Sequence, residues 1–92
     1  MGTARRLPAS ELPEKEVRVM DLIQVQSTTL AAVAYDSHYD LLELHFRNGT
    51  VYHYFGVPAQ THQDLLAADS KGGYFNRKIR GHFPYALLRS VT

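Results

Sequence analysis

Two groups of side chains have types and spacings that could do chemistry. Tyr52 and Tyr54 stand two apart in the run VYHYF. In an extended chain that spacing puts both rings on one face. Rings on an open sheet face stack unpaired bases, each worth about 1–3 kcal/mol. The same rings can instead pack beneath another element and serve only the fold. The second group lies in SKGGYFNRKIR, where Lys71, Arg77, Lys78 and Arg80 surround Tyr74. Cations interleaved with an aromatic suit a phosphate backbone. On a helix, Lys71, Tyr74 and Lys78 share one side, and Arg77 and Arg80 lie near each other on another. Gly72 and Gly73 open that helix and offer backbone N–H groups to an anion. Asn76 can hydrogen-bond a base, or tie the helix to the loop before it. The plainer reading of the cations is a solvated face that balances the acidic middle of the chain.

Other chemistries find little support. The chain has no cysteine, which excludes disulfides, thiolate metal sites and cysteine nucleophiles. Its five histidines are His38, His45, His53, His62 and His82. Zinc needs three or four converging ligands, and the register derived below sends His45 and His53 to opposite faces, so no metal is expected. No paired carboxylates, Ser–His arrangement or Gly-rich phosphate loop appears. Asp36 and Asp40 flank a turn and read as turn residues. The chain reads as non-catalytic and free of cofactors.

The element that must position the tyrosines is Leu41–Phe55, LLELHFRNGTVYHYF. Asn48-Gly49 between two alternating runs is the preferred filling of a two-residue type I′ turn, with φ positive at both positions. That turn would set Arg47 opposite Thr50, His45 opposite Tyr52 and Glu43 opposite Tyr54. One face would then carry Leu42, Leu44, Phe46, Val51, His53 and Phe55. The other, polar face would carry Glu43, His45, Arg47, Thr50, Tyr52 and Tyr54. Arg47 thus joins the candidate surface, although a cation beside a turn is also simply solvated.

Thr29–Tyr35 reads as a strand closed by Asp36-Ser37, with Val33 and Tyr35 on one face. Ile23–Ser27 leaves room for a fourth, edge strand. Gly56-Val57-Pro58 breaks the hairpin, and Pro58 suits the first position of a helix over Ala59–Ala68. Ser70 caps a second helix over Lys71–Arg80, whose buried edge is Phe75 and Ile79. Gly81 suits the position just past its end. Ala86–Val91 reads as a tail that packs back through Leu87 and Leu88. Residues 1–22 hold Pro8, Pro13 and scattered charge, and read as a flexible leader apart from a possible helix over Glu14–Leu22; residues 23–92 form one domain.

Net charge is +1 over 92 residues, but it is unevenly spread. Residues 69–92 hold Lys71, Arg77, Lys78, Arg80 and Arg89 against Asp69, whereas residues 23–68 hold Arg47 against four carboxylates. No apolar run approaches the ~20 residues of a membrane span. Arg5 and Arg6 have no apolar core behind them, so no secretory signal is read and a cytoplasmic home is expected.

The segments VAYD (Val33–Asp36), LELHFRNGTVYHYFGVP (Leu42–Pro58) and SKGGYFNRKIRGHFPY (Ser70–Tyr85) fall in an order that resembles the KTSC domain. That family is named from the C-terminus of some lysyl-tRNA synthetases and also occurs as small stand-alone bacterial and phage proteins. The matching positions are Tyr52-His53-Tyr54, Val57-Pro58, then Ser70, Gly72, Tyr74, Phe75 and Asn76, and Ile79-Arg80. The resemblance covers about residues 25–89. Ala34 and Phe83 stand where Gly and Tyr are common in the family. Loss of the phenol at Phe83 removes one polar contact. The synthetase association points to RNA binding.

The expected fold is therefore α+β. It is a three-stranded antiparallel meander, four-stranded if Ile23–Ser27 joins, followed by one or two C-terminal helices packed on its apolar face. The expected function is binding of RNA or single-stranded nucleic acid. Tyr52 and Tyr54 would stack bases, while Arg47, Lys71, Arg77, Lys78 and Arg80 neutralise phosphate. The alternative is a protein-interaction module that uses the same aromatic face.

Overall fold

A computed structural model describes residues 21–90. The leader and the helix considered over Glu14–Leu22 lie, but for Asp21 and Leu22, outside the described residues. The fold is α+β, as expected. Five strands form one antiparallel sheet in sequential order: β1 (Ile23–Gln24), β2 (Leu30–Asp36), β3 (Leu41–Phe46), β4 (Val51–Phe55) and β5 (Tyr85–Arg89). Helix α1 (Ala59–Ala67) and helix α2 (Lys71–Tyr74) come between β4 and β5, and α2 runs on as a π-helical segment, Phe75–Ile79. Both helices lie on one face. There Val57, Leu65, Phe75 and Ile79 bury with Leu30, Val33, Leu42, Leu44 and Tyr54.

The β1 edge strand forms, but with two residues only. Turn residues act as turn residues: the Asp36 carboxylate accepts the His38 N–H at 2.9 Å, and Asp40 takes a positive φ of 54°. Pro58 sits one position before the first helical residue, extended at ψ 151°. Ser70 caps α2 by accepting the Gly73 N–H at 3.1 Å. That donor is therefore spent within the chain and is not offered to an anion. Gly72 serves close approach, as a glycine can, but the neighbour is the chain's own Thr29. A Cβ on Gly72 would lie 2.4 Å from the Thr29 hydroxyl oxygen.

Three expectations are corrected. First, the hairpin turn is not type I′. The Phe46 carbonyl accepts from the Gly49 N–H at 2.9 Å, the Phe46 N–H donates to Thr50 at 2.8 Å, and only Gly49 (φ 95°) has positive φ within Asn48-Gly49. This is a type I turn closed by a G1 bulge, one residue longer than the expected loop. Asn48 stays right-handed, and its side-chain oxygen accepts the Thr50 N–H at 2.9 Å. Register follows the loop. Leu42 pairs with Tyr54, Glu43 with His53, Leu44 with Tyr52 and His45 with Val51.

Second, a one-residue slip turns every side chain of a strand to the other face. Tyr52 and Tyr54 therefore join Leu42 and Leu44 beneath the helices, and His53 and Phe55 join Glu43 and His45 on the opposite face. His45 and His53, expected on opposite faces, share one. The observed register buries two large rings and leaves the imidazole of His53 beside a carboxylate. Both outcomes are more favourable than burying His53 without a partner.

Third, Tyr85–Arg89 is a fifth strand rather than a packed-back tail. It pairs antiparallel with β4, and Leu87 and Leu88 are both half exposed.

Candidate nucleic-acid interface

The aromatic residues of β3, β4, β5 and the π-helical segment meet at one place. Phe46 and Tyr52 have centroids 5.8 Å apart, Tyr52 and Tyr85 5.5 Å, Tyr85 and Tyr54 5.6 Å, Tyr54 and Phe75 5.7 Å, and Phe75 and Phe46 5.3 Å. The five rings thus form a closed circuit. Most contacts are edge to face, the arrangement that ring quadrupoles favour. Together with Arg80 and Gly81 they line a cleft of about 310 Å³.

Sheet register builds one wall of this cleft. Tyr52 pairs with Leu87, and Tyr54 with Tyr85, so β5 carries the aromatic row across from β4. The π turn builds the other. The Arg80 N–H donates to the Phe75 carbonyl five residues back, at 2.9 Å. Such a turn is wider than an α turn and often marks a functional site. It aims Phe75 and Ile79 into the core and leaves Arg80 exposed at the cleft. Gly81, at φ 81°, then turns the chain toward β5 with open space where a side chain would stand.

The rings differ in exposure. Tyr54 is only 4% exposed and forms the floor, whereas Tyr85 is 61% exposed and forms the outer wall. Burial raises the Tyr54 phenol above its usual range, and the nearby Tyr52 and Tyr85 hydroxyls add to this, against a smaller opposing effect of Arg80. Tyr54 therefore stays a neutral hydroxyl at physiological pH.

The candidate residues separate on this geometry. Tyr52, Tyr54 and Arg80 come together in the cleft. Arg47 does not join them: its guanidinium holds the carbonyls of Ser27 at 2.6 Å and Val25 at 3.2 Å, on the β1–β2 side of the sheet. Lys71 is bound to the Ala68 carbonyl at 3.0 Å, where a cation offsets the C-terminal end of α1. Tyr74 turns to α1. Burial there raises its phenol, as does the charge of Asp64, while Thr61 and Arg77 oppose. Asn76, Arg77 and Lys78 are exposed and do not line the cleft. Of the expected helical stripe of Lys71, Tyr74 and Lys78, Lys71 is held by the Ala68 carbonyl and Tyr74 faces α1, while Lys78 is exposed on the π-helical segment.

Sequence reasoning missed Tyr85, Phe46 and Phe75 as cleft residues. The signal for Tyr85 was faint, a Tyr-x-Leu alternation after a Gly and a Pro. The sheet face away from the helices holds a different group. There the Glu43 carboxylate is held by His45 Nε2 at 2.6 Å and His53 Nε2 at 2.7 Å. Burial pushes this carboxyl up, but the hydrogen bonds and charges of the two histidines outweigh it and hold it below its usual range. Among the described residues, no group of three or more His, Asp or Glu is arranged to hold a metal ion.

Residues 26–83 match the KTSC domain family. The chain belongs to this family. A crystal structure of a KTSC domain protein from Yersinia pestis superposes with a TM-score of 0.74 at 34% identity, covering 77% of this chain and all of that one. An uncharacterised protein of Stutzerimonas stutzeri is 37% identical over 67 residues, 72% of this chain and 94% of its own. A lysine–tRNA ligase of Nostoc punctiforme is 32% identical over 74 residues, 80% of this chain but 13% of the ligase. The KTSC domain thus spans a small part of the ligases it matches, and the match indicates no catalytic family. Among the described residues no helix of this KTSC domain is long and apolar enough to cross a membrane.

Proposed function

We propose that this chain is a small non-catalytic module that binds single-stranded nucleic acid, with RNA as its natural ligand. The cleft that joins Tyr52, Tyr54 and Tyr85 to Arg80 carries this reading. Stacked rings hold a base by its π face, and a guanidinium at the rim holds a phosphate. Lys78, exposed two positions before Arg80, adds to the positive field, whereas the Arg77 guanidinium lies by Gly73 at the start of α2. The site is a concave cleft and not an open platform on the polar sheet face; Tyr85 belongs to it, and Arg47 and Lys71, bound to backbone carbonyls, do not. The likeness to part of a lysine–tRNA ligase supports an RNA ligand. The low net charge of +1 implies modest rather than tight non-specific affinity.

An amide NMR titration with short mixed-sequence RNA, at low and high salt, tests the reading. Shifts at Tyr52, Tyr54, Arg80, Gly81 and Tyr85 that weaken as salt rises support it. No shifts at low salt remove it, and a protein partner at the aromatic surface then becomes the reading to pursue.

A further inference from the structure

We propose that the cleft takes one nucleotide as its unit, with the base in the space bounded by Tyr52, Tyr54 and Tyr85 and that nucleotide's own phosphate on Arg80. This rests on the nucleic-acid reading and specifies its ligand.

Several observations point to a single nucleotide rather than a run of stacked bases. The rings already touch one another, with centroids 5.3–6.0 Å apart. A base therefore cannot part them like a sandwich; it enters the cleft they enclose. At about 310 Å³ the cleft is at the small end of ligand sites. Among the described residues, Arg80 is the only cation that lines it. Arg77 and Lys78 are exposed and do not line the cleft, so they act through the field rather than by contact. Tyr52, Tyr54 and Tyr85 all line the cleft, so phenol hydroxyls stand beside the rings. Phenols both donate and accept, which suits the mixed edge of a base and not a hydrocarbon. The open space at Gly81 lets a sugar-phosphate approach the backbone next to Arg80. A cationic ligand is disfavoured by that same guanidinium.

The consequence is a length dependence. Most of the site-specific affinity should be present with one nucleotide. Longer strands should add only a salt-sensitive increment.

The test is an amide NMR titration of the full chain with a nucleoside, a nucleoside 5′-monophosphate, inorganic phosphate, and RNA of two, four and eight nucleotides. The monophosphate is expected to shift Tyr52, Tyr54, Arg80, Gly81 and Tyr85. Removing its phosphate should weaken it at least tenfold, and Arg80→Gln should abolish that difference. Tyr85→Ala, at a largely exposed ring, should weaken the monophosphate by about tenfold or more. Phosphate that reproduces the monophosphate's shifts would make this an anion site and overturn the proposal. So would RNA of four or eight nucleotides that shifts the cleft while the monophosphate does not; the nucleic-acid reading would survive that outcome. RNA shifts confined to other residues would overturn the proposal and leave the broader reading. Silence from every ligand at low salt removes both.

Discussion

Leu44 and Tyr52 are direct cross-strand partners, and both face the helices. The pairing decides the chemistry of both sheet faces, because it follows from a loop one residue longer than Asn-Gly alone requires. Gly49 holds that loop at φ 95°. Gly49→Ala should cost about 1–2 kcal/mol, the penalty of a left-handed conformation for a residue with a Cβ. Asn48→Ala should cost less, about 0.5–1.5 kcal/mol, for the loss of one side-chain hydrogen bond to Thr50. Urea unfolding of the two variants measures the difference. A larger loss for Asn48→Ala would mean that the side-chain bond, not the bulge, sets the register.

Tyr54 and Tyr85 pair across β4 and β5 yet stand at opposite extremes of exposure. Tyr54→Ala should destabilise the fold by about 3 kcal/mol or more, as removal of a core ring does. Tyr85→Ala should cost under about 1 kcal/mol. Equal losses, measured by denaturant unfolding, would place Tyr85 in the core and discredit it as the outer wall of the cleft.

Acid should weaken the fold in two stages. His62 stacks on Tyr35 at 4.6 Å, its buried Nε2 has no hydrogen-bond partner among the described residues, and burial lowers its pKa from 6.5. The unfolded chain therefore takes up this proton more readily than the native state. Stability is complete above pH 6.5 and declines as pH falls below it, through the folded pKa of His62. Glu43 has the same sign lower down: its pKa is depressed from 4.5 by its two histidines despite burial, so its share is lost as pH falls below 4.5. His62→Phe should flatten the upper stage and Glu43→Gln the lower in unfolding free energies taken from pH 8 to pH 3. An upper stage unchanged in His62→Phe would assign it to another group.

Gly72 meets Thr29 where α2 crosses the start of β2. A Cβ there would sit 2.4 Å from the Thr29 hydroxyl oxygen and 2.9 Å from its Cβ. Gly72→Ala should cost about 1–3 kcal/mol by overpacking. Adding Thr29→Ala removes the closer clash, and the double variant should lose less than the sum of the single losses. Additive losses would show that α2 moves away from Thr29 at no cost.

Much of the site's supply of residues was legible in the chain. The motif Tyr52-His53-Tyr54, the Ser70 cap and the buried pair Phe75 and Ile79 were readable because each rests on neighbours a few positions away. The family resemblance rests on the same local strings. The basic residues Arg77, Lys78 and Arg80 were equally visible. Their commitments were not. Arg47 and Lys71 look like free cations in the sequence, but Arg47 holds the carbonyls of Ser27 and Val25 from a distant segment, and Lys71 holds the Ala68 carbonyl at the end of α1.

Which strands and helices exist was thus largely determined by the sequence, through side-chain alternation, caps and turn residues that act over a few positions. The sequence did not determine the register of the hairpin. Type I′ and type I with a G1 bulge both accept Asn48-Gly49, and the choice turned on which face could bury Tyr52 and Tyr54 and leave Glu43 between two histidines. Tertiary structure also decided the fifth strand, since Tyr85–Arg89 has half-exposed leucines and no local reason to be a strand except the free edge of β4 beside it. The cleft depends on both decisions. It exists because backbone hydrogen bonds between distant strands, and the burial they permit, bring Tyr52, Tyr54, Arg80 and Tyr85 to one place.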